Sequence, residues 1–255
     1  MKVKLIQSTQ NPIEVMWTAA RTCYSAKGPI EIWEYSATTP TDKKWNLVKT
    51  VLDSGHKSVA ENISFTFAIE GISRACSHQL TRHRAGVVFA QQSQRYVEIK
   101  ESFDNISELF ENPKTDKDED YLYSVANKYF TNVTKDNYRM YIQCLISYLH
   151  GIKLGMKPED ARTFLPNATK TNLVMTINYR ELIHVCNLRL CSRAQTEIRT
   201  LFSLIKQEVQ TKFPELATLL VPNCVTDGFC KEHKSCGRKP TLDEVLNKKE
   251  SENVL

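Results

Sequence analysis

Thr171-Asn172-Leu173-Val174-Met175-Thr176-Ile177 runs directly into Asn178-Tyr179-Arg180-Glu181-Leu182-Ile183-His184. At that junction the periodicity changes. Residues 171–177 alternate as a strand should. From there helical patterns take over, predicting helices over about Asn178–Leu190 and Ala194–Phe213. In the second of these Ala194, Ile198, Leu201, Ile205 and Val209 form an apolar stripe, read as core.

Working outward, Lys2–Gln7 and Ile63–Ile69 alternate as strands, with Gly71 expected to end the second. Val87–Phe89 and Arg95–Ile99 read as short strands flanking Ala90-Gln91-Gln92-Ser93. Helices are expected from Pro12 to Cys23, with Ile13, Met16, Trp17 and Ala20 on one face, and over Lys44–Ser54, closed by Gly55. A third runs from about Ile72 to Arg82. A charged stretch, Lys114–Asp120, leads into one long helix to about Leu154, and Pro158 opens a short helix that stops before Pro166. Ser25–Thr39, with Gly28 and Pro29, reads as loop, and the polar tail after Thr241 as frayed. Helices therefore predominate around a modest mixed or antiparallel sheet, an α+β architecture.

The chain has 255 residues, 25% of them charged and 41% hydrophobic, values ordinary for a globular protein and poor support for disorder. No apolar run approaches a membrane span. The start, Met1-Lys2-Val3-Lys4-Leu5, has no basic region followed by a long apolar stretch, so a cytoplasmic location is expected. Eight scattered cysteines do not resemble a secreted disulfide framework and are read as thiols.

The placement of positive charge is more informative than the net +5. Gly71–Ile99 holds Arg74, Arg82, Arg84 and Arg95 without a lysine, and Thr171–Ile205 holds Arg180, Arg189, Arg193 and Arg199, again without one. A guanidinium grips phosphate or a planar carbonyl edge as a fork, whereas lysine is a flexible point charge. Arginine-rich solvated helix faces would produce the same counts. Within the first zone, Gln79-Leu80-Thr81-Arg82-His83-Arg84 is followed by Gln91-Gln92-Ser93-Gln94-Arg95-Tyr96. Consecutive residues at a helix end diverge by about 100°, so Arg82, His83 and Arg84 suit a junction of two ligands, and Ser93 with Arg95 suits a phosphate monoester. In the second zone Arg189 and Arg193 lie one turn apart, an arrangement that an anion, or Glu181 or Glu197, would relieve.

The run from Arg82-His83-Arg84 to Ser93 and Arg95-Tyr96 resembles the signature of flavin-dependent thymidylate synthases. Ala20–Tyr24, Gly55–Glu61 with Phe65-Thr66-Phe67, Ala161–Pro166 and Asn178–Arg199 agree with that family in order and spacing. Eight residues separate Arg84 from Ser93, one more than the family's usual seven, which leaves the role of Gln91 open. The resemblance covers roughly residues 1–220 and implies a ThyX-like fold, with 221–255 as a Cys-containing polar tail. It implies deoxyuridine monophosphate (dUMP) binding by Gln79, Arg82, Gln91, Gln92, Ser93, Gln94, Arg95, Arg162 and Arg189. FAD binding is implied for Ser58, Arg82, His83, Arg84, Gln91, Asn178, Arg180 and His184. Arg189, beside the uracil ring, would be the catalytic group, with His56 near the flavin and folate. The implied reaction takes dUMP to dTMP with 5,10-methylenetetrahydrofolate as carbon donor and NADPH as hydride source, in a homotetramer with active sites between subunits.

Two other classes compete. A nucleic-acid-binding protein could use the arginine zones on phosphates, but 29 acidic residues balance the basic ones and no aromatic-rich RNA-binding signature appears. Thymidylate synthases with a catalytic cysteine are unrelated. Cys186 and Cys191 flank Arg189, but nothing around them resembles that type, and buried structural cysteine is the commoner role. Cys224, Cys230, His233 and Cys236 could offer three thiolates and an imidazole to zinc, or be free thiols in a tail. Their spacing is irregular and outside the family motifs, so no metal is assigned.

Overall fold

A computed structural model describes residues 1–252 of the chain, so the last three residues of the expected tail lie outside the described residues. Four strands, β1 (Lys2–Ser8), β2 (Ser64–Ser73), β3 (Val87–Gln91) and β4 (Lys170–Asn178), form one antiparallel sheet in the order β1-β2-β4-β3. The chain divides into two compact units, and each strand contributes residues to both. The first unit comprises Met1–Lys2, Ile69–Arg82 and Ala90–Val174; the second comprises Val3–Ala68, His83–Phe89 and the chain from Met175.

The second unit contains helices α1 (Pro12–Thr22), α2 (Pro29–Ser36) and α3 (Thr41–Asp53), all ahead of β2. The expected loop over Ser25–Thr39 is therefore wrong in its middle. Gly28 and Pro29 do not break structure there. Pro29 occupies the first helical turn, where its missing N–H costs nothing, and Pro40 caps α3. Buried Lys44 holds the three helices together, its Nζ donating to Glu14 Oε1 at 2.5 Å and to the Ser36 carbonyl at 3.2 Å.

After β4 come α9 (Tyr179–Arg189) and α10 (Thr196–Lys212). The predicted stripe Ile198, Leu201, Ile205 and Val209 is fully buried. Ala194 precedes the helix instead of joining it, because Gln195 caps α10, its Oε1 accepting from Ile198 N at 3.2 Å. Tyr179 is also fully buried, with Phe65 edge-on at 6.0 Å and its hydroxyl donating to the Leu216 carbonyl at 2.7 Å. Tyr179→Phe removes one of two donors to that carbonyl, which keeps Leu219 N at 3.2 Å. Destabilisation of about 1 kcal/mol is expected, read as a lower denaturant midpoint with an unchanged slope. The C-terminal segment adds the short helices α11 (Pro214–Ala217) and α12 (Asn223–Asp227), and then α13 (Leu242–Glu252), where fraying was expected. The Glu244 carboxylate accepts from the Thr241 N–H at 2.6 Å and supports the start of α13.

In the first unit Gly71 adopts φ +69° without ending β2, which continues to Ser73. The helix α4 (Arg74–Leu80) starts two residues later than expected because Ser73 caps it, Oγ accepting from Cys76 N at 2.9 Å. The connection from β3 to β4 carries α5 (Phe103–Glu111), α6 (Asp116–Tyr129), α7 (Tyr138–Lys153) and α8 (Pro158–Ala161). The single long helix is thus two. Asn132 at φ 58° and Asn137, whose Oδ1 accepts from Thr134 N at 2.8 Å, build the turn that separates them. Ile106, Leu122, Val125, Ala126, Ile142 and Leu145 pack between α5, α6 and α7 as this unit's core. The strand expected over Arg95–Ile99 does not form. Ser93 instead closes a turn, its Oγ accepting from Arg95 N at 3.1 Å and its carbonyl from Val97 N at 3.0 Å.

Candidate functional site

The candidate residues fall into two groups, one in each unit. Arg82, His83 and Arg84 lie beyond α4 in an irregular turn, so the helical divergence argued from sequence does not apply. Arg82 belongs to the first unit and His83 and Arg84 to the second.

In the second unit the turn after Arg84 and the start of α9 fix each other. Asn178 donates its N–H to the Gly86 carbonyl at 2.8 Å, while its Oδ1 accepts from Glu181 N at 2.8 Å and caps the helix. Gly86 stands at φ +66°, and a Cβ there would fall 2.0 Å from Asn178 Nδ2, so only glycine permits this approach. From that cap α9 carries Arg180, His184 and Asn187 at helical spacing onto the wall of a cavity of about 1030 Å³. Lys49 and Lys57 add cationic groups to the wall, Asp53 and Glu181 carboxylates, and Leu52, Ala60, Ile183, Leu219 and Val221 apolar surface. Arg180 pairs with the Glu61 carboxylate. Ser58 and Arg84 are exposed but do not line this cavity.

At the other end of α9, Arg189 Nε donates to His83 Nε2 at 3.2 Å. The acceptor nitrogen must be unprotonated, so the His83 proton resides on Nδ1, which faces Glu181 Oε1 at 3.6 Å. Burial, then the Arg189 and His184 charges, push the His83 pKa down to about 4, and burial pushes the Glu181 carboxyl up. Among the described residues, ligand atoms of His83, Glu181 and His184 lie within 4.8 Å of one another. A dication there would compete with Arg189 for His83 and face its guanidinium, so hydrogen bonding and orientation of Arg189 are the roles this cluster supports.

The depressed His83 pKa has a definite sign. The unfolded chain titrates near 6.5 and the folded one near 4, so the unfolded state binds more protons between those values. The His83 contribution to stability is therefore fully present above about pH 6.5 and falls by at most about 3 kcal/mol as pH drops toward 4. Unfolding midpoints measured across this window should show the slope in the native protein and a shallower one in His83→Gln.

In the first unit, Gln91 ends β3 with its Nε2 donating to Ser77 Oγ at 3.0 Å and Thr171 Oγ1 at 3.1 Å. Gln92, Ser93 and Gln94 line a cavity of about 390 Å³ that Lys128 and Lys170 also reach. Glu159 gathers two of the candidate arginines. Its carboxylate meets Arg95 Nε at 2.5 Å, and its carbonyl accepts from Arg162 Nε at 3.0 Å. Burial, and then the charge of Arg162, depress the Arg74 guanidinium. Gln79 is half-buried on α4 and Arg82 is exposed past its end. Cys186 is fully buried, which drives its thiol far above its ordinary pKa and makes it a poor nucleophile.

Sequence reasoning missed Lys49, Lys57, Asn187 and Thr226 as cavity residues. Glu61 lies inside a quoted motif yet had no assigned role. Lys57 and Asn187 also lie inside quoted motifs without an assigned role, and Lys49 lies outside them. Thr226 had no local signal.

The family described as "Thymidylate synthase complementing protein" matches residues 4–215. A flavin-dependent thymidylate synthase of Pyrococcus abyssi is 36% identical over 239 residues, spanning 92% of this chain and 91% of that one. One from Clostridium tetani is 34% identical over 252 residues, spanning 96% of each. Among solved structures, the flavin dependent thymidylate synthase ThyX of Helicobacter pylori, complexed with FAD and dUMP, aligns with TM-score 0.68 at 22% identity, covering 87% of this chain and all of that one. A UMP/dUMP methylase of Streptomyces cacaoi bound with 5-Br dUMP aligns at 0.65 and 21% identity, covering 86% of this chain and 93% of that one. These two likenesses support the α+β fold, while the family match and the relatives reach across most of the sequence. This chain belongs to the flavin-dependent thymidylate synthases.

Proposed function

We propose that this chain reductively methylates dUMP to dTMP, with 5,10-methylenetetrahydrofolate donating the carbon and FAD carrying a hydride supplied by NADPH. The observation that carries the reading is the cavity of about 1030 Å³ beside α9, at the upper end of ligand-site sizes. Its chemistry fits a dinucleotide. Arg180, Lys49 and Lys57 can take a pyrophosphate, and the apolar wall can take planar rings. Asn178, Arg180 and His184 would hold the cofactor there, with Ser58, His83 and Arg84 of the same unit, and the resemblance adds Arg82 and Gln91 as further FAD ligands. FAD, when bound, would supply the hydride chemistry.

The remaining work belongs to the chain's own side chains. Ser93, Arg95 and Arg162, with Gln79, Arg82, Gln92 and Gln94, would grip the nucleotide, and a phosphate would take over the neutralising role that Glu159 now plays for Arg95. Arg189 would hold its guanidinium against the uracil edge, stabilising negative charge as the ring becomes nucleophilic at C5. His83 orients that guanidinium by accepting from its Nε.

The proposed assembly is a homotetramer with active sites between subunits. Val88, Tyr96 and Val97 leave apolar surface exposed close to the nucleotide segment, Tyr96 being 79% accessible, which is surface for a neighbouring copy to bury. Residues 1–220 are proposed as the catalytic domain and the segment from 221 as its appendage, in a cytoplasmic enzyme; among the described residues no helix is long and apolar enough to cross a membrane. Family membership favours this reading over nucleic-acid binding. Titration with FAD, followed by quenching of flavin fluorescence, tests it. Saturable stoichiometric binding, weakened at least tenfold in Arg180→Ala, is expected; no binding by folded protein would overturn the assignment.

A further inference from the structure

We infer that Cys191, Cys224, Cys230 and Cys236 form a thiolate site for one soft divalent cation of the zinc class. All four line a single cavity of about 90 Å³ in the second unit, although they lie 33, 6 and 6 residues apart in sequence. His233, the imidazole that the sequence pattern offered, does not line it, and Cys191 just beyond α9 takes its place. The donor set is then four sulfurs, the composition of closed structural zinc sites.

The surroundings suit the charge such a site would carry. Four thiolates around a dication leave a net charge of −2; Arg193, Lys231, Lys234 and Arg238 line the same cavity against one carboxylate, Glu232, with Lys231 also paired to Asp227 at 2.9 Å. Two of these guanidinium groups tie the segment to its surroundings: Arg193 donates to the Lys234 carbonyl at 2.9 Å and Arg238 to the Leu190 carbonyl at 3.3 Å. The segment also needs a tie. Between α12 and α13 it contributes one buried apolar residue, Cys230, so burial alone gives it little to hold its path. No three of the four sulfurs lie within 4.8 Å of one another, so binding a cation would require the cavity to close around it.

The site would pin α12 from behind. Pro222, Asn223 and Cys224 face the small cavity, while Val221, Val225 and Thr226 line the large one. A metal in the small cavity would therefore fix a wall of the large one. Three of the four cysteines follow residue 215, where the family match ends, and only Cys191 lies within it.

The test uses the full chain purified without chelator. Elemental analysis should find about one zinc per chain, a stoichiometry expected of a closed structural site. After chelation, cobalt(II) should bind one per chain, with tetrahedral d–d bands and intense sulfur-to-cobalt charge transfer. Cys236→Ser, at an exposed position, should abolish stoichiometric uptake, whereas Cys144→Ser and His233→Ala should leave it intact. Chelation should also expose Lys231 and Lys234 to trypsin. Absence of cobalt uptake by folded protein would overturn the site. So would uptake that survives Cys236→Ser but is lost in His184→Gln, or a native thiol count below eight that reports a disulfide.

Discussion

Arg189→Lys is expected to lower turnover by about 10²–10³-fold while leaving the fold and flavin binding intact. On the proposed reading the guanidinium has two tasks. Its Nε donates to His83 at 3.2 Å, which fixes its plane, and its remaining N–H groups are left to meet a planar ring edge. An ammonium keeps the charge but has no second donor fixed relative to the first, so it can satisfy His83 or a substrate and cannot align to both. Steady-state rates normalised to bound flavin, with the circular-dichroism spectrum as a fold control, measure this. Cys186→Ala in parallel should retain turnover per folded molecule, since its buried thiol is held protonated. A lysine variant with near-native turnover would remove Arg189 from the chemistry, and one accompanied by a flavin-loaded alanine variant at Cys186 without any would move the chemistry to the cysteine.

Gly86→Ala should be the most damaging single-methyl change. At φ +66° an L-residue is strained by about 1–2 kcal/mol, and the new Cβ would fall 2.0 Å from Asn178 Nδ2, a distance no relaxed contact allows. Asn178 must then move. Moving it uncaps α9, at a cost of about 1 kcal/mol, and shifts the helix that carries Arg180, His184 and Arg189. A total loss of roughly 2–3 kcal/mol is expected, with flavin affinity reduced at least tenfold. Gly155→Ala is the control. Its φ of +87° is equally unfavourable, but open space surrounds the position, so it should show the backbone strain alone and no change in flavin affinity. Equal losses at the two sites would mean that the contact between Gly86 and Asn178 contributes nothing.

The parts of the fold legible in the sequence were those where one period ran unbroken. β4, α9 and α10 fall close to their expected positions because Leu173, Met175 and Ile177 alternate and Ile198 through Val209 repeat at helical spacing. Errors arose where one residue type serves opposite purposes. Pro29 was read as a breaker and instead starts α2, and the Asn132–Asn137 turn, flanked by helical patterns on both sides, was absorbed into one helix. Arg95–Ile99 has strand-like composition, but Ser93 closes a turn locally before any neighbouring strand can pair with it.

The candidate site was legible as segments and not as contacts. Arginine without lysine marked both zones, and the structure gives each a physical setting: Arg95 and Arg162 on Glu159, and Arg189 on His83. The cavity wall was hidden for another reason. Lys49, Glu61, Asn187 and Thr226 come from four separate parts of the chain, and no local pattern records that folding makes them neighbours. The exchange of Cys191 for His233 around the small cavity has the same origin.

The most direct measurement follows a labelled carbon. Protein loaded with FAD, reduced without oxygen and given dUMP with methylene-labelled tetrahydrofolate should produce dTMP carrying the label in its methyl group, one product per reduced flavin. Flavin that binds and reoxidises without yielding labelled dTMP would contradict the account.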